Sequence, residues 1–221
     1  MALLLNIDSA FEQCVVALSN NEEVIAHEKS IMQKDHASFL QPAIKKICES
    51  AAINLSAIDA IAVVNGPGSY TGLRVGLASA KGICYVLQKP LILLNTLDIL
   101  AFALQQNVRQ SDILICPMID ARRMEVFTAL YNNNLNLIND YTSVILDDTF
   151  LADERTTHQI VAGGNGSSKL KTIPGFENIT YSPLNYSINH VVKLALKNYE
   201  LGNFASLAYS EPFYIKAAYI K

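Results

Sequence analysis

The sequence predicts an α/β protein of two similar halves, each a mixed sheet with flanking helices, the second half abbreviated. Three observations lead there. Short apolar runs alternate with stretches of helical periodicity along most of the chain. The interval from an acid closing an apolar run to a following Asn turn occurs twice, from Asp8 to Asn20 and from Asp120 to Asn132, with Ala17-Leu18 in register with Ala129-Leu130. An apolar run entering a glycine loop also occurs twice, at Val64-Asn65-Gly66-Pro67-Gly68 and at Ala162-Gly163-Gly164-Asn165-Gly166.

Each element has its local reason. Leu3-Leu4-Leu5-Asn6-Ile7-Asp8 is a buried strand, 14–18 is a second, Asn20-Asn21 turns the chain, and 24–31 returns as a third. Phe39, Leu40, Ala43, Ile44, Ile47, Cys48 and Ala51 recur at helical spacing, with Pro42 placed in the first turn of that helix, where no amide partner is lost. Residues 57–64 form the strand feeding the first glycine loop. Thr71 caps a helix that runs to about Gln88. A buried strand follows at 90–94, and Thr96 caps a helix through Gln106.

The polar stretch 105–112 marks a boundary, giving an N-terminal unit of 1–106 and a C-terminal unit of 107–221. The second unit repeats the meander at 113–120, 125–130 and 135–145. Only residues 146–158 stand where the first half has its long helix. A strand and glycine loop follow at 159–166, then an amphipathic helix at 188–199. The closing segment 211–216 is expected to pack across both halves. A duplicated unit of this kind points to the actin-like (ASKHA) architecture, two ribonuclease-H-like halves with the acidic strand ends Asp8 and Asp120 facing a cleft.

Composition narrows the function. Residues of the set AVILMFWYC make up 51% of the chain, enough for a substantial core, and the net charge of −3 provides no strong footprint for nucleic acid. If RNA is involved, a partner carries most of the phosphate contact. Cys14, Cys48, Cys84 and Cys116 have neither metal nor redox spacing and read as core residues of a reduced, cytosolic protein. Residues 1–7 do not resemble a signal peptide, and no run is long enough to span a membrane.

The glycine loop matches neither common nucleotide motif. No Lys follows the glycines as in a Walker A loop, and the dinucleotide fingerprint spaces its glycines differently. Amides at the helix start can hold an anion, so Asp8, Gly66, Gly68 and Arg74 are the candidate nucleotide or anion contacts. Asp8 is followed by Ser9-Ala10-Phe11-Glu12, without the glycine that a phosphate-wrapping turn needs, so a structural cap is the competing reading. Arg122 and Arg123 beside Asp120 could meet an anion or salt-bridge nearby acids. Gly72, Gly76 and Ala80 repeat every four residues and leave one helix face nearly bare, for the chain's own sheet or for another subunit. His27, His36, His158 and His190 are scattered and read as surface or packing residues.

Over essentially its whole length the sequence resembles the bacterial TsaB (YeaZ) family. The resemblance rests on Ile7-Asp8-Ser9, on His36 with Leu40 and Pro42, on Asp59-Ala60-Ile61-Ala62-Val63, and above all on the run from Gly66 through Gly76 with Ala80-Lys81-Gly82. Ile119-Asp120-Ala121-Arg122-Arg123-Met124-Glu125-Val126 looks like the family's Asp-Ala-Arg segment. The paralogous TsaD family shares the glycine motif and adds a metal-binding His-x-x-x-His pair. Thr96 and Leu100 stand at those two positions here, and Leu100 offers no donor atom.

The resemblance therefore implies a non-catalytic subunit without a metal. It implies pairing with TsaD and TsaE, which transfer threonylcarbamoyl from threonylcarbamoyl-AMP to A37 of tRNAs reading ANN codons. A homodimer through the same helices is also implied, as are tRNA reached through the complex, a cytoplasmic location and no membrane. No cofactor is intrinsic, and ATP or ADP belongs at an interface of the complex. The implied partner surface is His36, Phe39, Leu40, Gly72, Arg74, Val75, Gly76, Ser79 and Ala80, so a bulky residue at Gly76 is expected to abolish pairing without unfolding the chain. The alternatives are a degenerate actin-like ATPase or a metalloprotease-like (M22) enzyme.

Overall fold

In a computed structural model the described residues are 1–30, 35–108, 112–177, 179–182 and 186–216. They form two compact units, Met1–Thr96 with Ser187–Tyr214, and Leu97–Tyr186 with Ile215–Lys221. The boundary thus falls at Thr96, at the start of a helix, and not in the polar stretch after it. The C-terminal helix belongs to the first unit, which corrects the division at 106. The reason is burial: Val191, Val192, Ala195 and Leu196 give that helix an apolar stripe, and it packs on the first sheet.

The first sheet has the order β3-β2-β1-β4-β5. β1 (Leu3–Asp8), β2 (Val15–Asn20) and β3 (Glu23–Lys29) make an antiparallel meander, and β4 (Ala60–Gly66) and β5 (Leu91–Asn95) add in parallel. α1 (His36–Ser50) lies beside α2 (Tyr70–Leu87). Leu5, Ile7, Val16, Leu18, Leu40, Ile44, Ile61 and Val63 form the core between sheet and helices. Pro42 sits inside α1, past its first turn, because the helix begins at His36. A backbone donor is missing there, a cost the buried stripe Leu40, Ala43, Ile44 and Ile47 offsets. The cap of α2 is Ser69, whose hydroxyl accepts from Gly72 N–H, and not Thr71.

The second sheet repeats the order as β8-β7-β6-β9-β10. Its members are β6 (Ile113–Asp120), β7 (Glu125–Tyr131), β8 (Leu137–Ile145), β9 (Gln159–Gly163) and β10 (Thr180–Ser182). β10 was not legible in the sequence. α3 (Thr96–Gln105) packs in this unit, with Leu104 against Gly163 and Leu100 against Gly164. The place of the long first-half helix holds only α4 (Ala152–Thr157). The remaining helix, in the first unit, is α5 (Ile188–Glu200). No helix among the described residues is long and apolar enough to cross a membrane.

Candidate functional site

The first glycine loop closes on the chain itself. The Gly66–Pro67 peptide is cis, and Gly66 has φ +121°. A Cβ on Gly66 would lie 2.4 Å from the Phe213 carbonyl oxygen, and one on Gly68 would lie 2.4 Å from the Ala10 oxygen. Ser69 N–H donates to Ala10 O at 2.7 Å, and Phe213 N–H donates to Asn65 O at 2.7 Å. The loop's close approach is spent on the segment after β1 and on the chain's closing segment. An open hollow of about 630 Å³ lies next to it, lined by Asn65, Leu93, Ser206, Glu211, Phe213 and Tyr214.

The stripe Gly72, Gly76 and Ala80 faces inward, correcting its assignment as an outward docking ridge. A Cβ on Gly72 would stand 2.1 Å from Ser9 O and 2.9 Å from His36 Nδ1; on Gly76, 2.2 Å from Ser9 Oγ. Ala80 is fully buried. His36, 3% exposed, and Leu40, 0% exposed, are interior as well. His36 Nε2 lies 3.3 Å from Glu12 O, so it is a packing histidine. Of the expected surface, Arg74 is exposed, and Phe39, Val75 and Ser79 are half-buried.

The outward face of α2 is a second lane that the sequence reading missed. Ala78 and Gly82 are exposed, none of the described residues comes within 4 Å of a Cβ built on Gly82, and Tyr85 and Val86 are 70% and 75% exposed. The signal was present: Arg74, Ala78 and Gly82 repeat every four residues on the side of the helix opposite Gly76. At one end of this face Arg74 lies over the Tyr70 ring, 4.0 Å from its centroid. Its guanidinium donates to the Tyr70 and Tyr214 hydroxyls, and the two rings stack at 4.9 Å.

The two acidic strand ends are built alike. Asp8 Oδ1 accepts from Ala10 N–H at 3.0 Å, and Asp120 Oδ1 accepts from Arg122 N–H at 2.6 Å, the same turn two residues on. Each thus caps its own turn. Asp120 also receives Lys169 Nζ at 2.7 Å. Partial burial pushes the Asp120 carboxyl up, but the hydrogen bonds from Lys169 and the Arg122 amide, with the Lys169 charge, carry it below its ordinary value. Glu125 is held low by its contact with Lys216 and by Ser143 Oγ at 2.5 Å. Arg122 and Arg123 both have left-handed backbones, φ +73° and +47°, at about 1–2 kcal/mol each. The turn is tied by Glu125 N–H to Arg122 O at 3.0 Å and by Asp120 N–H to Asn165 Oδ1 at 2.9 Å.

α3 carries the positions compared with the TsaD histidines. Thr96 is fully buried and its hydroxyl has no hydrogen-bond partner among the described residues, and Leu100 is 2% exposed. Leu100 Cδ2 would be 2.5 Å from a Cβ on Gly164, so this side chain is committed to packing. Between Thr96 and Leu100 in sequence, Asp98 accepts from Tyr131 and Tyr141 at 2.6 and 2.8 Å. Burial, then the Asp98 charge, pushes both phenols above their ordinary range. Among the described residues, no group of three or more His, Cys, Asp or Glu side chains is arranged to hold a metal ion.

Two five-stranded mixed sheets of one strand order, each with a glycine loop closing on the end of its first strand, define an actin-like α/β protein. The chain belongs to the TsaD family, whose model, tRNA N6-adenosine threonylcarbamoyltransferase, matches residues 22–211, and its relatives include TsaB (YeaZ) proteins. It is 33% identical over 135 residues to the tRNA threonylcarbamoyladenosine biosynthesis protein TsaB of Bacillus subtilis, covering 61% of this chain and 57% of that one. The match therefore spans little more than half of that relative's length. YeaZ from Pseudomonas aeruginosa superposes with a TM-score of 0.75 at 25% identity, covering 97% of this chain and all of that one. A candidate N-acetylglucosamine kinase from Porphyromonas gingivalis shares the fold alone, with a TM-score of 0.51 at 9% identity over 90% of this chain and 100% of that one.

Proposed function

We propose that the chain is a non-catalytic subunit in the formation of N6-threonylcarbamoyladenosine at A37 of tRNAs reading ANN codons. It pairs with a TsaD-type transferase, with a TsaE-type ATPase joining the pair. The transferase moves threonylcarbamoyl from threonylcarbamoyl-AMP. The observation that carries the reading is the outward face of α2. Ala78 and Gly82 leave a shallow lane beside the exposed Tyr85 and Val86, so the axis of a partner helix can come close while burying both large side chains. Leu100 supports the non-catalytic half, since a packed leucine stands where the resemblance places a metal ligand. In this reading the chain has no cofactor of its own, and ATP or ADP sits at a boundary with a partner.

The test is co-purification with the TsaD-type transferase of the same organism, followed by modification of an unmodified tRNA transcript with and without the chain. Gly82→Glu/Val86→Glu changes only solvent-facing positions, so it leaves the fold intact and removes pairing and modification together. Undiminished pairing by that variant excludes the α2 face as the contact. Full modification without the chain excludes the subunit role, and ATP turnover or stoichiometric zinc in the isolated chain restores the enzyme alternatives.

A further inference from the structure

We propose that Arg122 and Arg123 form a contact for the phosphate backbone of RNA, an inference that rests on the subunit role above and adds a direct RNA contact by this chain. The sequence left two uses for the pair: an anion, or the neighbouring acids. The second use is closed. Asp120 is bonded by Lys169 at 2.7 Å, and Glu125 is bonded by Lys216. Among the described residues neither arginine guanidinium has a hydrogen-bond or ion-pair partner, and both residues are exposed.

The turn also holds the pair in place. Two successive left-handed residues are an uncommon backbone for arginine. The Asp120 carboxylate bonds the Arg122 amide, and Asn165 bonds the Asp120 amide, so the acids and amide of this hairpin fix its shape and leave the guanidiniums outward. Guanidinium is a planar, bidentate donor suited to phosphate oxygens. The occupant we commit to is an RNA phosphodiester backbone. The chain's net charge of −3 limits it to a small share of the RNA contact, and two unpaired arginines are such a share.

The experiment uses the full chain in complex with its TsaD-type transferase and, as probe, a fluorescein-labelled unmodified tRNA transcript reading an ANN codon. Anisotropy titrations run between 50 and 200 mM KCl. Arg122→Asn/Arg123→Asn removes both charges with a residue that accepts left-handed backbone. The slope of log affinity against log salt should become shallower by about 1.5–2, so the gap to wild type narrows by about tenfold over that range. Arg122→Lys/Arg123→Lys keeps the charges and should keep the slope. An unchanged slope in the Asn variant overturns the assignment, as does an equal loss in the Lys variant. So does a loss seen only with phosphatidylserine vesicles while tRNA binding persists. The two readings separate in the modification assay: if modification proceeds without the chain, the subunit role fails; if it requires the chain while the Asn variant binds tRNA like wild type, the arginine contact alone fails.

Discussion

Alanine at three glycines of α2 should have three different effects, because the added methyl meets a backbone oxygen at one, a side-chain hydroxyl at another and open space at the third. At Gly72 the methyl would sit 2.1 Å from the Ser9 carbonyl oxygen, against an ordinary carbon–oxygen contact of about 3.3 Å. Backbone must move by more than a rotamer can supply. Overpacking of this kind costs about 1–3 kcal/mol, and the helix-propensity gain of alanine returns at most ~1 kcal/mol. At Gly76 the nearest atom is Ser9 Oγ at 2.2 Å, a buried hydroxyl without a hydrogen-bond partner among the described residues. Gly76→Ala should therefore destabilise less than Gly72→Ala. Ser9→Ala should relieve it, leaving contacts of 3.3 Å to the Ser9 Cβ and 3.6 Å to Ile7. The double-mutant coupling should be about 1–2 kcal/mol. At Gly82 the methyl meets none of the described residues within 4 Å, so Gly82→Ala should stabilise by ~0.5–1 kcal/mol.

The assay is urea and thermal unfolding of the full chain, with roughly 2–4 °C in midpoint for each kcal/mol in a chain of this size. Equal stability of Gly72→Ala and wild type would refute the packing account. So would a Gly76→Ala loss that Ser9→Ala leaves unchanged, or a Gly82→Ala loss matching the other two. The last result would mean that α2 does not present that side to solvent.

Two further predictions test the interior. Burial raises the thiols of Cys14 and Cys116 to about 12 and of Cys84 to about 11, with the Asp8 charge adding to Cys14, while Cys48 is half-buried. Iodoacetamide at pH 8 should label Cys48 first and the other three only on unfolding, as peptide mapping by mass spectrometry would show; early labelling of Cys116 would contradict the β6–β7 packing. Tyr131 and Tyr141 have folded pKa values raised above the unfolded value of about 10, so their stabilising effect is complete below pH 10 and is lost as pH rises beyond it. Absorbance titration should show these two phenols resisting ionisation until unfolding. Tyr131→Phe/Tyr141→Phe should flatten the alkaline fall in stability, and an unaltered alkaline profile would argue against the Asp98 cluster.

What the sequence could show depended on whether a feature is local. The meanders were legible because alternation and Asn turns act within a few residues, and the acid-to-Asn interval makes the duplication visible in the sequence itself. Ser69 rather than Thr71 as the cap, and β10 as a strand, depend on tertiary partners that no local pattern states. The placement of α5 follows the same rule: its stripe was evident, but not which sheet it covers. The stripe on α2 is the instructive failure. Gly72, Gly76 and Ala80 identify a face where another backbone comes near, and periodicity cannot say whose backbone. The answer came from Ser9, which lies close in space but far along the chain. That answer transfers the exposed role to Ala78, Gly82, Tyr85 and Val86, since a helix with one small-residue face consumed by its own first strand has only the opposite face left for company. The hairpin at Asp120 follows the same logic with charge in place of volume. Once Lys169 and Lys216 have claimed the acids, the two arginines beside them are left facing outward, and among the described residues none pairs with them.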